Sequence, residues 1–204
     1  MRLEKKISEI ISILFHPMLT PTYVLIFFLN IPFFSGYRFS SDVKIYLVAF
    51  VFVMTFFIPA SLMWVLKRMK VIETMQMNNR MERVVPLAMM AVVYYISYYS
   101  LIQIEILDVF NLFLLGIIIV TLVTLLINLS TKISLHMVSM GGVSGAMLGL
   151  LLDYPLDLRW VLYALIILSG VVGYARLTIS NHTLRQVYNG FMLGFVLMLA
   201  LFVF

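Results

Sequence analysis

Apolar runs of roughly 18 or more residues recur along the whole length of this chain and restrict the folds that it can adopt. A helix of that length crosses the ~30 Å hydrocarbon core of a bilayer. Of the 204 residues, 63% are hydrophobic and 11% are charged, whereas soluble domains are about half apolar and a quarter charged. The alternating ten-residue strands of a membrane barrel are not seen. We therefore predict an all-α, polytopic transmembrane helix bundle.

Seven candidate spans can be placed on the sequence, and Pro17 and Pro21 should kink the first of them. The connections are short, except for a polar stretch from Lys67 to Arg83. No separate soluble region interrupts the spans, so we predict a single transmembrane domain over residues 1–204. The predicted spans are 9–34, 43–66, 85–104, 110–129, 134–152, 160–176 and 186–204.

Basic residues are distributed unevenly between the two ends of these spans. One face receives 11 of the 14 Lys and Arg, and the other receives Arg38, Lys44 and Arg159. Because cytoplasmic loops are enriched in Lys and Arg, the crowded face and the N-terminus should be cytoplasmic, with the chain in a bacterial inner (plasma) membrane. The 11 residues are Arg2, Lys5, Lys6, Lys67, Arg68, Lys70, Arg80, Arg83, Lys132, Arg176 and Arg185.

Three segments return to this basic face: 78–86, 132–142 and 175–194. Several guanidinium groups at low dielectric repel one another unless an anion lies among them, and their planar donors suit phosphate. Ionisable groups at membrane depth are functional candidates. The pattern therefore predicts a phosphate site built from His136, His182, Gln186, Arg176, Arg83, Arg80 and Lys132.

The third segment resembles the last signature of the type-2 phosphatidic acid phosphatase superfamily, membrane lipid phosphatases related to haloperoxidases. That signature is Ser-Arg, five residues, His, three residues, Asp, and two glycines four apart. Arg176, His182, Gln186, Gly190 and Gly194 match its spacing. The triplet Ser134-Leu135-His136 is similar to the middle signature, Pro-Ser-Gly-His. The first signature is only echoed, by Arg80, Arg83 and Pro86, so the resemblance covers residues 78–194.

The resemblance implies a two-histidine phosphoryl transfer without metal or other cofactor. His182 would attack phosphorus and become a phosphohistidine, and His136 would protonate the leaving oxygen and then activate water. Arg176, with Arg83, Arg80 and Lys132, would bind the phosphate oxygens. Gln186 stands where the family has aspartate, which removes the negative charge beside the nucleophile; the analogous Asp→Asn change in a serine protease lowers turnover by about 10⁴.

Simpler interpretations remain for several of these residues. The two histidines could cap helices or meet headgroups, and the arginines could be topology signals that attract anionic lipid. His16, beside Pro17, is expected to mark a kink and to be a satisfied polar group, or else to line the pocket. Glycines at spacing four in the fifth and seventh spans predict close packing of those helices.

Three functions follow from these alternatives. The leading one is a divergent phosphatase that hydrolyses a lipid phosphomonoester or diphosphate. The others are a non-catalytic binder or transporter of phosphorylated lipids on the same scaffold, and a structural subunit of a membrane complex. The expected partners are a lipid phosphate and membrane lipids, and no nucleic acid.

Overall fold

The helices account for nearly all of the chain that the computed structural model describes, residues 2–31, 39–74, 77, 79–103, 108–155, 157–179 and 182–204. These ranges contain no strand. The α-helices in them are α1 Arg2–Leu14, α2 Thr20–Asn30, α3 Ser41–Phe52, α4 Ile58–Arg68, α5 Val84–Ile102, α6 Asp108–Ser130, α7 Leu135–Asp153, α8 Arg159–Ile179 and α9 Leu184–Val203.

Seven helical segments in the described part of the chain are long and apolar enough to cross a membrane, which confirms the predicted all-α bundle. Their ends differ by a few residues from the predicted ones. Residues 34 and 104, predicted as the ends of the first and third spans, lie outside the described residues, as does Arg38. The segments are Leu3–Asn30, Ser41–Arg68, Met81–Ile102, Asp108–Ser130, Leu135–Asp153, Arg159–Ile179 and Leu184–Val203.

Two segments contain interruptions that prolines explain. The first is interrupted after α1, and a 3₁₀ turn Pro17–Leu19 precedes α2. Because Pro17 has no backbone N–H, it cannot continue the hydrogen bonds of α1. A π-helical turn, Val53–Phe57, separates α3 from α4, which has Pro59 in its first turn. The wider turn accommodates a proline that would clash with the carbonyl four residues earlier.

The chain divides into two compact units. The first unit, hereafter the split unit, comprises Met1–Pro17 and Ser130–Phe204, and the second comprises Met18–Leu129. The split unit contains α1, α7, α8 and α9, and the second unit contains α2 to α6. The prediction of a single domain over residues 1–204 stays a prediction.

Glycines bring α7 and α9 into backbone contact in the split unit, as the sequence predicts. A Cβ atom on Gly141 would overlap the carbonyl of Phe191, and one on Gly194 would overlap the carbonyl of Val138. Gly145 meets Phe195 in the same way. The contact positions advance together along both helices, so α7 and α9 run parallel. This packing sets the start of α7 beside the start of α9.

Candidate functional site

The predicted site residues of the split unit come from neighbouring helix ends. His136 is the second residue of α7, Arg176 lies in the last turn of α8, and His182 and Gln186 flank the start of α9. Helices α7 and α8 follow one another and pack together, so the end of α8 lies beside the start of α7. The order of the helices thus places all four residues at one end of the split unit.

The best-defined contact in this group joins His182 to Gln186. The Oε1 atom of Gln186 lies 3.1 Å from Nδ1 of His182 and accepts a hydrogen bond of 3.2 Å from the backbone N–H of Thr183. A backbone N–H only donates, so the amide is oriented with its oxygen toward both groups. Nδ1 of His182 must then carry the hydrogen. In the neutral ring, Nε2 keeps its lone pair.

The same glutamine helps to begin α9. Thr183 is the N-cap, and its Oγ1 accepts a hydrogen bond of 3.4 Å from the backbone N–H of Gln186. Together with the bond from Thr183 N–H to Gln186 Oε1, this forms a capping box. The backbone carbonyl of Gln186 also accepts a bond of 3.2 Å from the N–H of Ser134, just before α7. Gln186 therefore fixes the His182 ring, the start of α9 and the link to α7.

His136 is held by α1. Its Nε2 lies 3.0 Å from the backbone carbonyl of Ser12. Because a carbonyl only accepts, Nε2 carries the hydrogen, and in the neutral ring the lone pair is on Nδ1. The two histidines are thus held in opposite tautomers. Any proton exchange by His136 in this arrangement uses Nδ1.

A third histidine and the arginine complete the group. The ring of His16 packs edge-on against that of His136, with centroids 5.4 Å apart and planes at 84°. Arg176 is close enough to act electrostatically on both His16 and His136, and His182 also acts on His136. The predicted kink at His16 is present, and the ring faces His136. His136 therefore lies within electrostatic range of two other imidazoles and of one guanidinium.

Two serine hydroxyls beside the histidines are buried. The side chains of Ser12 and Ser134 are 6% and 0% exposed. Within the described part of the chain, neither Oγ has a hydrogen-bond partner. An unpaired buried hydroxyl is unfavourable. Ser134 directly precedes α7, two residues before His136, so its hydroxyl lies at the same end of the split unit.

The remaining predicted residues are placed elsewhere along the chain. Lys132 is half-buried in the turn before α7. Arg80 and Arg83 belong to the second unit, where Arg83 is 4% exposed and its Nε donates to the carbonyl of Met77 over 3.0 Å. The carbonyl of Arg80 accepts from Asn128 over 2.7 Å. Their predicted convergence with the histidines stays a prediction.

Neither Thr183 nor Ser12 is assigned to the site by the sequence analysis. Thr183 and Gln186 form a Thr-x-x-Gln pattern, which is typical of a capping box. The sequence therefore contains the signal for the contact between Thr183 and Gln186. No comparable signal pairs Ser12 or His16 with His136, because these contacts join residues far apart in the chain. Sequence spacing identifies neighbours on one helix and not partners on different helices.

Within the described ranges, no three His, Asp or Glu side chains converge as metal ligands. Comparison of the chain with family models, with curated proteins and with solved structures finds no match. The proposed function therefore rests on the geometry of the histidines, Arg176 and Gln186.

Proposed function

We propose that this protein is a membrane lipid-phosphate phosphatase that works through a phosphohistidine, as a divergent relative of the type-2 phosphatidic acid phosphatases. The observation that carries the proposal is the His182–Gln186 contact, which orients the His182 ring and sets the tautomer in which Nδ1 carries the hydrogen and Nε2 the lone pair. Neutral imidazole is a competent nucleophile near pH 7. In the same unit, Arg176 and His182 both act electrostatically on His136. A guanidinium so placed supports an anionic substrate for Nε2 of His182.

The reaction has two displacements at phosphorus. In the first, Nε2 of His182 forms a bond to phosphorus, the bond to the lipid oxygen breaks, and the leaving oxygen takes the Nδ1 proton of His136, which enters this step as the imidazolium. In the second, a water oxygen attacks phosphorus while His136 accepts a water proton, and the N–P bond breaks with its electron pair returning to His182. The net change is a lipid phosphate and water becoming a lipid alcohol and inorganic phosphate.

Positive groups neutralise the charge that develops on the phosphate oxygens. Arg176 shares the unit of the histidines and acts electrostatically on His16 and His136, and Lys132 adds a second cation in the turn before α7. Arg83 and Arg80 are further candidates from the sequence pattern alone. Removing one such preorganised donor typically lowers turnover by about 10²–10³.

The substrate is proposed to be an amphiphile, because the chain that carries the site is built from membrane-length helices. Its phosphate would meet Arg176, and its acyl or prenyl chains would remain in lipid. Phosphatidic acid, phosphatidylglycerol phosphate and polyprenyl diphosphate are the candidates. The proposed location is a bacterial inner membrane with the N-terminus and the site on the cytoplasmic side, as the basic residues suggest.

Phosphate release from a panel of these lipids by the purified protein in detergent tests the proposal. We expect release without added metal, reduced to background by His182→Ala and lowered about 100-fold by Arg176→Ala. The matched control is Arg185→Ala, which removes the same charge from an exposed position near the start of α9. Release from His182→Ala equal to that of the unsubstituted protein would overturn the phosphohistidine.

A non-catalytic binder of phosphorylated lipids is the second candidate, and Gln186 is the observation that favours it. This side chain is uncharged and also serves a capping box, which any helix could use. A binder retains lipid phosphate after His182→Ala and loses it after Arg176→Ala, without releasing phosphate in either case. A structural subunit shows no change in lipid binding with either substitution.

A further inference from the structure

The long polar connection between α4 and α5 is folded onto the second unit, to which it belongs. It begins where α4 ends: the backbone N–H of Val71 donates to the carbonyl of Leu66 over 3.0 Å, and Lys70 has the left-handed conformation (φ 59°) that commonly ends a helix. Ile72 is 1% exposed and belongs to the same apolar cluster as Met63 of α4. The connection is therefore anchored as it leaves α4.

The other end of the connection carries two arginines, and backbone carbonyls organise both. The backbone N–H of Arg83 donates to the carbonyl of Arg80 over 3.1 Å, which closes the 3₁₀ turn Met81–Arg83. The Nε atom of Arg83 donates to the carbonyl of Met77, whose left-handed backbone (φ 46°) is uncommon for a residue other than glycine. Arg83 is buried in this arrangement and Arg80 is exposed. The side chain of Arg80 is thus the more accessible of the two.

Asn128 joins this turn to α6. Its Nδ2 atom donates to the carbonyl of Arg80 over 2.7 Å, although the two residues are 48 positions apart in the chain. The Asn128 side chain is 1% exposed. The Arg80 carbonyl therefore accepts two hydrogen bonds, one that closes the turn and one that fixes it to a transmembrane helix. The backbone from which the Arg80 side chain extends is held at a defined position against α6.

The fold gains little stability from an amide at position 128. Within the described part of the chain, Oδ1 of Asn128 is buried without a hydrogen-bond partner, and so is Oγ1 of Thr124 one turn earlier. A buried acceptor left unpaired offsets much of what the Nδ2 bond contributes. Without the amide, the Arg80 carbonyl would still accept the N–H of Arg83. An apolar side chain at position 128 should be about as stable, so the amide requires another explanation.

We propose that Asn128 is a positioning residue, which holds the turn so that Arg80 presents its guanidinium to the phosphate of the lipid. This inference rests on the proposed function, in which Arg80 binds that phosphate. A planar guanidinium donates to phosphate in a fixed fork geometry, so its effect depends on where its backbone is held. A displacement of about 1 Å can lower a rate about 100-fold. Asn128 acts through Arg80 and does not itself contact the lipid.

A double-mutant cycle on kcat/KM for phosphatidic acid tests whether Asn128 acts through Arg80. The full-length variants, in detergent, are Asn128→Leu, Arg80→Ala and the two together. Arg80→Ala removes the guanidinium and keeps the backbone carbonyl to which Asn128 donates. The matched control is Thr124→Val, which removes a buried hydroxyl one turn away on α6 and leaves the bond between Asn128 and Arg80 in place. Melting temperatures are measured for every variant.

We expect Asn128→Leu to lower kcat/KM about tenfold to hundredfold when Arg80 is present. In the Arg80→Ala background the same substitution should cost less than about twofold, because its effect has already been removed. Thr124→Val should release phosphate at the rate of the unsubstituted protein, and both single α6 variants should melt near its melting temperature. Equal losses from Asn128→Leu with and without Arg80 would overturn the positioning role and leave the phosphatase standing.

Failure of the proposed function gives a different result. If the unsubstituted protein releases no phosphate, the phosphatase is wrong, and the same cycle is measured on the Kd for phosphatidic acid. Coupling between Asn128 and Arg80 in that Kd would support the positioning role in a lipid-phosphate binder. A Kd unchanged by Asn128→Leu, or no binding by the unsubstituted protein, would overturn it. Asn128→Ser, too short to reach the Arg80 carbonyl, replaces Asn128→Leu in the cycle if the leucine variant does not fold.

Discussion

Gln186 forms hydrogen bonds through its side-chain oxygen, its backbone N–H and its backbone carbonyl, and each reaches a different part of the site. The oxygen sets the tautomer of His182, the role that the resemblance to the phosphatidic acid phosphatase signature would give to an aspartate. It cannot supply the negative charge that stabilises an imidazolium or a phosphohistidine. We therefore expect Gln186 to lower the rate of phosphate release while it keeps the His182 ring correctly oriented.

The first prediction restores that charge. Gln186→Glu keeps an oxygen for both the Thr183 N–H and His182 Nδ1, and it adds a negative charge beside His182. We expect the rate of phosphate release to rise at least about tenfold, because an uncharged partner lowers turnover in an analogous triad by about 10⁴. The measurement is the initial rate on phosphatidic acid.

The control separates the histidine from the helix cap. Thr183→Ala removes one half of the capping box, at a cost of about 1 kcal/mol, and leaves the His182–Gln186 contact available. It should lower the melting temperature slightly and retain most of the release. Equal rates for Gln186→Glu and the unsubstituted protein would contradict a charge-limited step.

The second prediction concerns the buried hydroxyl of Ser134. Ser134→Ala removes a group that has no hydrogen-bond partner in the described part of the chain, so the melting temperature should stay the same or rise. A hydrogen bond to a charged group contributes about 1.5–3 kcal/mol. If the hydroxyl donates to substrate phosphate, kcat/KM should fall roughly tenfold to hundredfold. A stable variant with an unchanged kcat/KM would remove Ser134 from the site.

The residues of the site were only partly accessible from the sequence. The spacing from Arg176 through His182 to Gln186 spans a helix end and the next helix start, and local geometry carries that pattern. The engagement of His136 by Ser12, and of His16 by His136, depends on how α1 packs on the split unit. Long-range packing of this kind leaves no periodic trace in the sequence.

At the scale of elements, the glycines of α7 and α9 determine how closely the two helices approach. The third prediction is that Gly194→Ala lowers the melting temperature in detergent clearly, because its methyl group would overlap the backbone of Val138. Overpacking of a tight contact typically costs about 1–3 kcal/mol. Activity should fall with it, since the same contact aligns the starts of both helices.

Gly170→Ala is the matched control, because a Cβ atom there meets nothing within 4 Å. Alanine favours helix over glycine, so this variant should be as stable as the unsubstituted protein or more stable. A loss of stability of similar size in both variants would show that glycine is needed for the helices themselves and not for their contact.

The elements themselves were the most predictable part of the fold. Apolar runs of membrane length determine that helices form, and in lipid no other open structure satisfies the backbone. The π-helical turn before α4 and the interruption after α1 both accompany prolines, yet only the second was predicted. A proline indicates that a helix is disturbed, while packing decides whether it breaks or widens.

At the scale of the whole molecule, the fourth prediction concerns orientation. Seven crossings that start from a cytoplasmic N-terminus leave the C-terminus outside. Alkaline phosphatase fused after Phe204 should therefore be active, and a green fluorescent protein at the same position should be dark. The same reporters fused after Lys70, on the basic face, should give the opposite result. A fluorescent fusion after Phe204 would contradict the orientation drawn from the charges.

The split unit is made from both ends of the chain, and this arrangement determines the order in which the protein can mature. Helix α1 is synthesised first, but the helices that cover its buried face are synthesised last, after the whole second unit. The second unit can thus pack while synthesis continues, and α1 waits at the membrane with Ser8 and Ser12 uncovered. The pair of histidines forms only once α7 and α9 have both left the insertion machinery. A prematurely terminated chain would therefore contain the second unit without the start of α9 beside that of α7, so that the proposed activity would depend on complete synthesis.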